Sequence, residues 1–568
     1  MNRRLPARPP AGARPWLWAA LFFAAVLLVY LSRLLITGEP MLETGDTLPA
    51  RVLPVSLLRE GNFDLDELAD PRAGPDLPYY LFAARGHVWS KFPVGGPLLL
   101  APAYAALQAV GVDVLGDPAA RDRAAAVLAA LVSALSALVV YLTYAPRGSG
   151  RALAVAAVYA FGTGVWPTCS QDLWQHTFGV LFAALALLCL ERGSEDDRWL
   201  GWMGLPAGLL FLVRPANGLL VAILAGAVLR RRPARLVAFA ALGLPALAFT
   251  LWYNLTVLGH PFGAYGPEAG GLHPWQNWAE GLPGLLVSPS RGLLVYSPVL
   301  ALGLLALRPG GDAGGQPVVP TLVLMLAGQL LLYGSYVQWY GGYCFGPRFL
   351  LEVMPAAAGL LWHAWPRLVA GRTARLLLAV TASWSVMANG VGYVYGYGTW
   401  CSSPDLDRCT GRLWDWRDNP LACAVWGLPD RCTHPLGRGG EHFEVDGVEF
   451  EAGRGWTHIP ERWIAAGREA ELLIDCHNRP AGLVVLTLTS DPGPEPQEVT
   501  ACLDGAERAR AVLRADEPRS LAVRVRPEER GRLLRLTLHF SACRRDSALD
   551  IVPLAGTVTG VQVGFYDH

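Results

Sequence analysis

The sequence predicts an α-helical polytopic membrane protein that carries a C-terminal all-β sandwich domain. Apolar runs of about 18 to 20 residues recur from the N-terminus to about Tyr395, and this length is enough for a helix to cross a bilayer. Of the 568 residues, 52% are hydrophobic and 17% are charged, whereas an average soluble domain has about 25% charged residues. After residue 440 the long runs give way to short alternating segments, which are typical of β-strands.

The apolar segments and the arginines between them predict the topology. Arginine pairs such as Arg147 with Arg151 and Arg230 with Arg231 fall on alternate loops, as expected of cytoplasmic loops. The basic residues before the first run indicate an uncleaved first helix and a cytoplasmic N-terminus in an integral plasma (inner) membrane protein. We expect about 11 transmembrane helices, and this odd number places the C-terminal domain outside the cytoplasm. The spans are residues 16–36, 120–144, 152–167, 176–191, 199–213, 216–230, 236–258, 292–307, 318–337, 349–365 and 374–396.

These spans divide the chain into three regions. Residues 1–396 form the transmembrane domain, in which residues 38–119 are a long first outer loop. An apolar run at 98–110 in this loop is short and follows helix breakers, so we expect it to lie along the membrane surface or to re-enter it. Residues 397–440 form a Cys-rich connecting segment, and residues 441–568 form the extracytoplasmic β-sandwich, of jelly-roll type.

The cysteines of the connecting segment predict disulfide bonds. Cys401, Cys409, Cys423 and Cys432 lie on the side of the membrane that the topology makes oxidising, so they are candidates for two disulfides with three possible connectivities. A zinc site is the alternative, although the segment contains no CxxC pair, the spacing common among zinc ligands.

The charge composition and the motifs exclude some classes of function. The 47 basic residues balance 47 acidic residues, so the chain has no overall positive field to hold nucleic acid. The sequence has no P-loop with Gly-Lys followed by Ser or Thr, which argues against ATP-driven transport by this chain.

Charged and strongly polar residues at the outer ends of the predicted spans are the candidates for chemistry, because such residues are costly at a membrane edge and are usually functional. A carboxylate with several cations at one rim suits a lipid substrate that carries a phosphate. The candidates are the acids Glu43, Asp46 and Asp172, the arginines Arg214, Arg291 and Arg348, and the residues Lys91 and His176.

Each candidate also has a purely structural interpretation. Asp46 could cap a following helix, and Asp172 could be a solvated loop acid. His176 could be a buried histidine that bonds to the backbone. Each arginine could simply extend along the membrane edge towards water. The residue types alone leave these alternatives open.

Several motifs, in order along residues 16–396, resemble the GT-C superfamily of glycosyltransferases. The segments 44–46 (Thr-Gly-Asp) and 90–97 (Ser-Lys-Phe-Pro-Val-Gly-Gly-Pro) resemble its first outer loop. The segments 173–176 (Leu-Trp-Gln-His), 253–262 and 339–348 continue the resemblance. That superfamily includes protein O-mannosyltransferases and lipid A aminoarabinose transferases. The resemblance implies sugar transfer from a polyprenyl-phosphate carrier at the outer face of the membrane.

The resemblance also implies roles for the candidates. The acid after the first helix is the catalytic base in that superfamily, and this position is Asp46. Many members have a second acid directly after it; here Thr47 follows, and Glu43 is the candidate substitute, with Asp172 as a further catalytic candidate. Phosphate is already a good leaving group, so it needs charge stabilisation, and direct displacement inverts the sugar. The candidates for binding the substrate and its phosphate are Arg348, Arg291, Arg214, Lys91 and His176.

We therefore predict a mannosyltransferase-like membrane enzyme that transfers a sugar from a polyprenyl-phosphate-linked donor to a glycan, lipid or protein acceptor. The alternatives are a lipid-linked polysaccharide ligase or polymerase and, in a different class, a multi-pass lipid or sugar transporter or flippase. The sequence does not establish a cofactor. The outer acids could bind a divalent cation, but the sequence does not identify a set of ligands. The C-terminal domain is expected to bind or position the acceptor.

Overall fold

The computed structural model describes most of the membrane region and the strands of the C-terminal domain. Glu43, Cys409 and Cys432 lie outside the described residues. The described residues are 15–41, 44–72, 77–263, 272–308, 317–397, 400–401, 406, 410–426, 442–445, 448–452, 456–459, 462–466, 469–475, 483–490, 497–514, 519–525, 533–540 and 554–564.

The part of the chain before residue 427 is mostly helical. Short 3₁₀ or π-helical segments at Gly45–Thr47, Val165–Cys169, Pro298–Leu307 and Arg348–Val353 join or extend the α-helices. The α-helices are α1 (Pro15–Thr37), α2 (Leu48–Arg59), α3 (Gly95–Ala109), α4 (Pro118–Tyr144), α5 (Ser149–Phe161), α6 (Gln175–Arg192), α7 (Arg198–Trp202), α8 (Gly204–Val213), α9 (Gly218–Arg231), α10 (Leu236–Tyr253), α11 (Pro274–Val287), α12 (Leu293–Tyr296), α13 (Val319–Gly334), α14 (Met354–Leu368), α15 (Arg372–Tyr395) and α16 (Pro420–Trp426).

The helices coincide with the predicted spans. Each predicted segment is helical over most of its length. Among the described residues, four helical stretches, at α1, α4, α10 and α15, are long and apolar enough to cross a membrane, and shorter apolar helices lie between them. An integral membrane protein is therefore supported, and the number of crossings stays a prediction.

Small residues bring α8 and α10 into direct backbone contact. A Cβ atom on Gly208 would lie 2.7 Å from the carbonyl oxygen of Gly243, and one on Gly204 would lie 1.9 Å from the carbonyl oxygen of Phe239. Helices in membranes associate largely through such close packing, because lipid tails are as apolar as the side chains and no hydrophobic force drives the helices together. These glycines are therefore required for the spacing of the two helices.

Charged side chains cluster at the end of the bundle where α4 and α6 finish. Glu191 is buried and accepts hydrogen bonds from Arg147 Nη1 (2.8 Å) and from the hydroxyl of Tyr144 (3.0 Å). Arg235 Nη2 pairs with Asp197 at 2.6 Å nearby in the chain. The other end of α4 starts beside α2, where Arg51 pairs with Asp122 at 2.7 Å, about 33 Å along the helix from Tyr144. The basic end of α4 is thus far from the end that meets α2.

The predicted first outer loop folds into α2, a hairpin and α3. Strands β1 (Leu81–Ala84) and β2 (His87–Ser90) pair antiparallel through a two-residue turn in which Arg85 and Gly86 both have positive φ. The apolar run expected at the membrane surface forms α3, which packs against α2 and α8. A Cβ atom on Gly95 would lie 2.5 Å from the carbonyl oxygen of Leu212, so the start of α3 is pressed against α8.

The C-terminal strands form two antiparallel sheets. One sheet has the order β10-β9-β12-β7-β4-β3 and the other has the order β11-β8-β13-β6-β5. The strands are β3 (His442–Val445), β4 (Val448–Ala452), β5 (Trp456–Ile459), β6 (Arg462–Ala466), β7 (Glu469–Asp475), β8 (Leu483–Ser490), β9 (Gln497–Leu503), β10 (Ala506–Leu513), β11 (Arg519–Arg524), β12 (Leu533–Phe540) and β13 (Leu554–Gly564).

The alternation seen in the sequence corresponds to buried faces of these sheets. Val484, Leu486 and Leu488 of β8 are buried, and so are Leu521 and Val523 of β11. β9 and β12, in the other sheet, bury every second residue in the same way. β8 contacts β10, and β9 contacts β11, so the two sheets meet. The predicted all-β character is confirmed for the described strands.

No disulfide joins cysteines among the described residues. Cys401 is a buried free thiol whose Sγ lies 3.6 Å from Arg291 Nη2, and Cys423 is also free. Each of the three connectivities uses both Cys401 and Cys423, so the predicted pair of disulfides is not formed; Cys409 and Cys432 themselves lie outside the described residues. An ion pair holds this segment instead: Arg412 Nε donates to Asp418 Oδ2 at 2.7 Å.

Candidate active site

Asp46 lies in the turn that leads into α2, and two side chains bind its carboxylate. The hydroxyl of Tyr79 donates to Oδ1 at 2.7 Å, and Arg348 Nη1 donates to Oδ2 at 2.6 Å. The Asp46 and Arg348 side chains are each 14% exposed. The capping residue of the turn is Thr44, whose hydroxyl accepts from the Asp46 amide at 3.2 Å. Asp46 therefore presents its carboxylate to other side chains and does not cap the helix.

Gly45 sets the close approach of this turn to the hairpin. A Cβ atom here would lie 2.5 Å from Cδ1 of Tyr80 and 3.0 Å from the hydroxyl of Tyr79. Any larger residue would push the turn away from the two tyrosines. The Thr-Gly-Asp motif is thus explained by packing as well as by chemistry.

Arg348 is held in place by aromatic rings and by a glycine-rich loop. Its guanidinium carbon lies 5.0 Å from the centre of the Trp174 ring and 5.4 Å from that of Phe349, within the range of cation–π attraction. A Cβ atom on Gly341, which has positive φ, would come within 3.0 Å of the Arg348 side chain. Arg348 Nε is buried and has no hydrogen-bond partner among the described residues. The guanidinium therefore keeps one donor for a further ligand.

Asp172 lies directly behind Asp46. Its carboxylate accepts from the Thr47 hydroxyl and, at 2.7 Å, from the Leu173 amide. The residue is only 2% exposed, so it is not a solvated loop acid. Burial raises the pKa of Asp172 above its ordinary value, although the positive charge of Arg51 and the Thr47 hydrogen bond act in the opposite direction. Asp172 thus anchors the residue next to Asp46.

His176 and Arg214 meet at a carboxylate that the sequence analysis missed. Glu352 is fully buried; its Oε1 lies 2.9 Å from His176 Nδ1 and accepts from Arg214 Nη1 at 3.1 Å. Within the described part of the chain, His176 is therefore bonded to side chains and not to the backbone. Glu352 is a single acid within an apolar segment, four residues after Arg348, and a lone ionisable residue in such a segment is the signal that points to it.

This buried cluster touches the Arg348 site through Phe349. The guanidinium carbon of Arg214 lies 5.3 Å from the Phe349 ring centre, and that of Arg348 lies 5.4 Å from the same centre. Arg214 also lies 5.0 Å from the Tyr333 ring, which stacks on Phe349 at 4.3 Å. Two of the predicted arginines thus share one aromatic ring.

Arg291 and Lys91 support the site in different ways. Arg291 is fully buried and donates to the carbonyl oxygens of Tyr340 (2.9 Å) and Gly342 (3.0 Å), so it braces the loop that carries Arg348. It does not lie at an open rim. Lys91 follows β2, and its amide donates to the Tyr80 carbonyl at 3.0 Å. Its half-buried side chain has no hydrogen bond or ion pair within the described part of the chain.

The structure brings together most of the predicted site residues. Asp46 and Arg348 are in direct contact, and Asp172 is joined to them through Thr47. His176 and Arg214 form a second group behind Arg348. Arg291 acts on the loop before Arg348, and Glu43 lies outside the described residues.

Comparisons with known proteins show what this chain is similar to. Residues 100–258 match the family model of dolichyl-phosphate-mannose-protein mannosyltransferases. The fold is similar to that of two structures of ArnT from Cupriavidus metallidurans. The structure bound to undecaprenyl phosphate has 13% sequence identity and a TM-score of 0.41, and the match covers 73% of this chain and 78% of that chain. The structure in the apo state has 14% sequence identity and a TM-score of 0.44, and the match covers 70% of this chain and 81% of that chain. It is also similar to arabinofuranosyltransferase AftD from Mycobacteria, with 13% sequence identity and a TM-score of 0.40, over 99% of this chain and 62% of that chain. A comparison with curated protein sequences gives no match.

The family match runs from α3 through α10 and so covers Asp172, His176 and Arg214, while Asp46, Arg348 and Glu352 lie beyond it. It agrees with the resemblance that the motifs carry, and it confirms the predicted enzyme class. Residues 100–258 are thus similar to the dolichyl-phosphate-mannose-protein mannosyltransferases, a family of membrane glycosyltransferases.

Proposed function

We propose that this chain is an inverting glycosyltransferase that moves a sugar from a polyprenyl-phosphate carrier to an extracytoplasmic glycan, lipid or protein. The observation that carries the proposal is the contact between Asp46 and Arg348. These residues are 302 positions apart in the sequence, and their side chains meet at 2.6 Å at the start of α2. A carboxylate and a guanidinium in contact are the two groups that this reaction requires.

In this proposal Asp46 is the general base. It takes the proton from the acceptor hydroxyl as that oxygen attacks the anomeric carbon of the sugar. The bond between the anomeric carbon and the phosphate oxygen breaks, and the carrier phosphate leaves with the electron pair. Because the acceptor attacks opposite the leaving group, the configuration at the anomeric carbon inverts.

Arg348 is the group that balances the charge of the leaving phosphate. Its free Nε supports this role, and so do the Trp174 and Phe349 rings that fix its guanidinium. A phosphate that binds to Arg348 competes with the carboxylate of Asp46 for the guanidinium. Lys91, whose backbone amide bonds to the Tyr80 carbonyl, is the second cation proposed for the phosphate.

The proposed topology has eleven spans, a cytoplasmic N-terminus and an extracytoplasmic C-terminal domain that positions the acceptor. The cluster of Arg147, Arg235 and their acidic partners supports this orientation, because it lies at the end of α4 away from Asp46 and Arg51. The site then faces outwards, where a lipid-linked sugar and its acceptor meet.

The test is a transfer assay with the full chain in proteoliposomes. The first donor to try is polyprenyl-phospho-mannose with a labelled sugar, because the matched family transfers mannose. We expect Asp46→Asn to lower the transfer rate by about 10²- to 10⁴-fold, because the variant keeps the shape of the side chain and loses the base. Asp70→Asn is the matched control, since Asp70 is an exposed acid of the same loop.

Product analysis separates the alternatives. A glycosyltransferase produces labelled acceptor and free polyprenyl phosphate, whereas a flippase moves intact donor across the bilayer. A ligase or polymerase releases the same carrier but requires an acceptor or donor with several sugars. Wild-type transfer by Asp46→Asn would remove Asp46 from the mechanism.

A further inference from the structure

Three side chains with metal-binding atoms converge at the tip of the β1–β2 hairpin. His87 Nδ1 lies 2.7 Å from Asp66 Oδ2 and 3.6 Å from Asp64 Oδ2. One nitrogen and one oxygen from each carboxylate lie within 4.8 Å of one another, close enough to coordinate a single ion. This cluster is separate from the Asp46–Arg348 site, because the whole of α2 lies between Asp46 and Asp64 in the chain.

The backbone fixes two of these ligands before any ion binds. The Val88 amide donates to Asp66 Oδ1 at 2.7 Å, which leaves Oδ2 directed at His87. The Leu65 amide donates to the Val88 carbonyl at 2.8 Å, so the segment that carries both acids is paired with β2. A site with preset ligands loses less entropy when it binds an ion.

The burial of Asp64 is a second and independent observation. Its side chain is only 7% exposed, and within the described residues the one side chain in ion-pair range of its carboxylate is His87. A buried carboxylate beside a second carboxylate is unfavourable unless a cation compensates for it.

We propose that Asp64, Asp66 and His87 form a binding site for a divalent transition-metal cation of the zinc class. Imidazole nitrogen together with carboxylate oxygen suits such ions, whereas calcium prefers oxygen ligands alone. Three protein ligands leave one tetrahedral position for water. Asp64 and Asp66 neutralise the charge of the ion, so the site as a whole is uncharged when His87 is neutral.

The position of the site assigns it a structural role in the first outer loop. The tip of the hairpin, at His87, is one end of a short ribbon whose other end carries Tyr79, Tyr80 and Lys91. Tyr79 bonds to Asp46 at that other end. An ion at the tip joins the segment after α2 to β2, and so fixes the ribbon that supports Asp46.

The test measures binding of zinc to the purified full chain after chelator treatment. We expect one equivalent of Zn²⁺ by titration calorimetry, a rise in the thermal midpoint with Zn²⁺, and no comparable response to Ca²⁺. Asp64→Asn and His87→Gln should each weaken Zn²⁺ binding by at least about tenfold. Asp70→Asn, in the same loop, and Asp46→Asn should keep the full response, so this result does not depend on transferase activity.

The metal-free midpoint of each variant shows whether it folds. A variant that keeps this midpoint but loses the zinc-dependent rise supports the site. If the wild-type chain binds no zinc, or if both ligand variants bind it as tightly as the wild type, the proposal is overturned. A stoichiometric response to Ca²⁺ with none to Zn²⁺ would also overturn the assignment of the ion class.

Discussion

The buried group of Glu352, Arg214 and His176 gives the sharpest prediction for stability. Glu352→Gln keeps the shape of the side chain and one acceptor oxygen but removes its charge. Arg214, whose side chain is 7% exposed, then loses the charge of the carboxylate that pairs with it. Loss of one partner from a buried ion pair costs about 3–5 kcal/mol. Because glutamine still accepts a hydrogen bond from Arg214, we expect the lower limit, about 3 kcal/mol, or roughly a hundredfold in the folding equilibrium.

The assay is denaturation of the purified chain in mixed micelles, with a double-mutant cycle. Arg214→Met alone should also destabilise the protein, since it removes the guanidinium that pairs with the buried carboxylate and leaves His176 as its partner. The double variant of Glu352→Gln with Arg214→Met should recover most of the loss, because no unpaired charge then remains. The control is Glu195→Gln: its side chain is 55% exposed and pairs with Arg147, and exposed pairs contribute about 0–1 kcal/mol. The assigned ion pair is wrong if Glu352→Gln changes the free energy of unfolding no more than this control does. It is also wrong if the losses caused by Glu352→Gln and Arg214→Met are additive in the double variant.

Two further predictions follow from the helix packing and from Asp172. Gly208→Ala should lower the thermal midpoint, because its Cβ would lie 2.7 Å from a carbonyl of α10 and overpacking costs about 1–3 kcal/mol. Gly226→Ala in α9 is the control: its Cβ would meet no atom within 4 Å, so the better helix former should raise the midpoint. Equal losses of stability in the two variants would contradict the proposed packing. Burial raises the pKa of Asp172, so between its unfolded and folded pKa the folded state binds more protons and the wild type loses stability as the pH rises. The thermal midpoint of Asp172→Asn, relative to that of the wild type, should therefore rise between pH 4 and pH 7. A difference between the two midpoints that stays constant with pH would contradict the raised pKa of Asp172.

The sequence was sufficient to predict the helices but not the partners of the polar residues. Apolar runs reveal helices because the length needed to cross a bilayer leaves a continuous signal along the chain. The contact between Asp46 and Arg348 leaves no such signal, since it joins the first outer loop to the segment after α13. Both residues were predicted for the site, and the fold was needed to show that they touch.

Arg291 and Glu352 show why burial could not be deduced. Arg291 was expected at the rim as a phosphate ligand, but it donates to backbone carbonyls. Because every residue has a carbonyl, the sequence does not indicate which carbonyls an arginine will bind. Glu352 was passed over because a single acid hardly changes the apolar average of its segment. The loop cluster of Asp64, Asp66 and His87 was missed for a related reason: His87 lies 21 residues after Asp66 in the sequence, and only the fold of the loop brings it back to the acids.

The contact between Asp46 and Arg348 also bears on the kinetics of the proposed reaction. In the form described here, the carboxylate that would accept the proton is already engaged by a guanidinium and a phenol. In the proposed reaction the donor phosphate competes with Asp46 for Arg348, so we expect the lipid-linked sugar to bind before the acceptor is activated. Such an order would also protect the donor from water, because Asp46 stays engaged by Arg348 until the phosphate has bound.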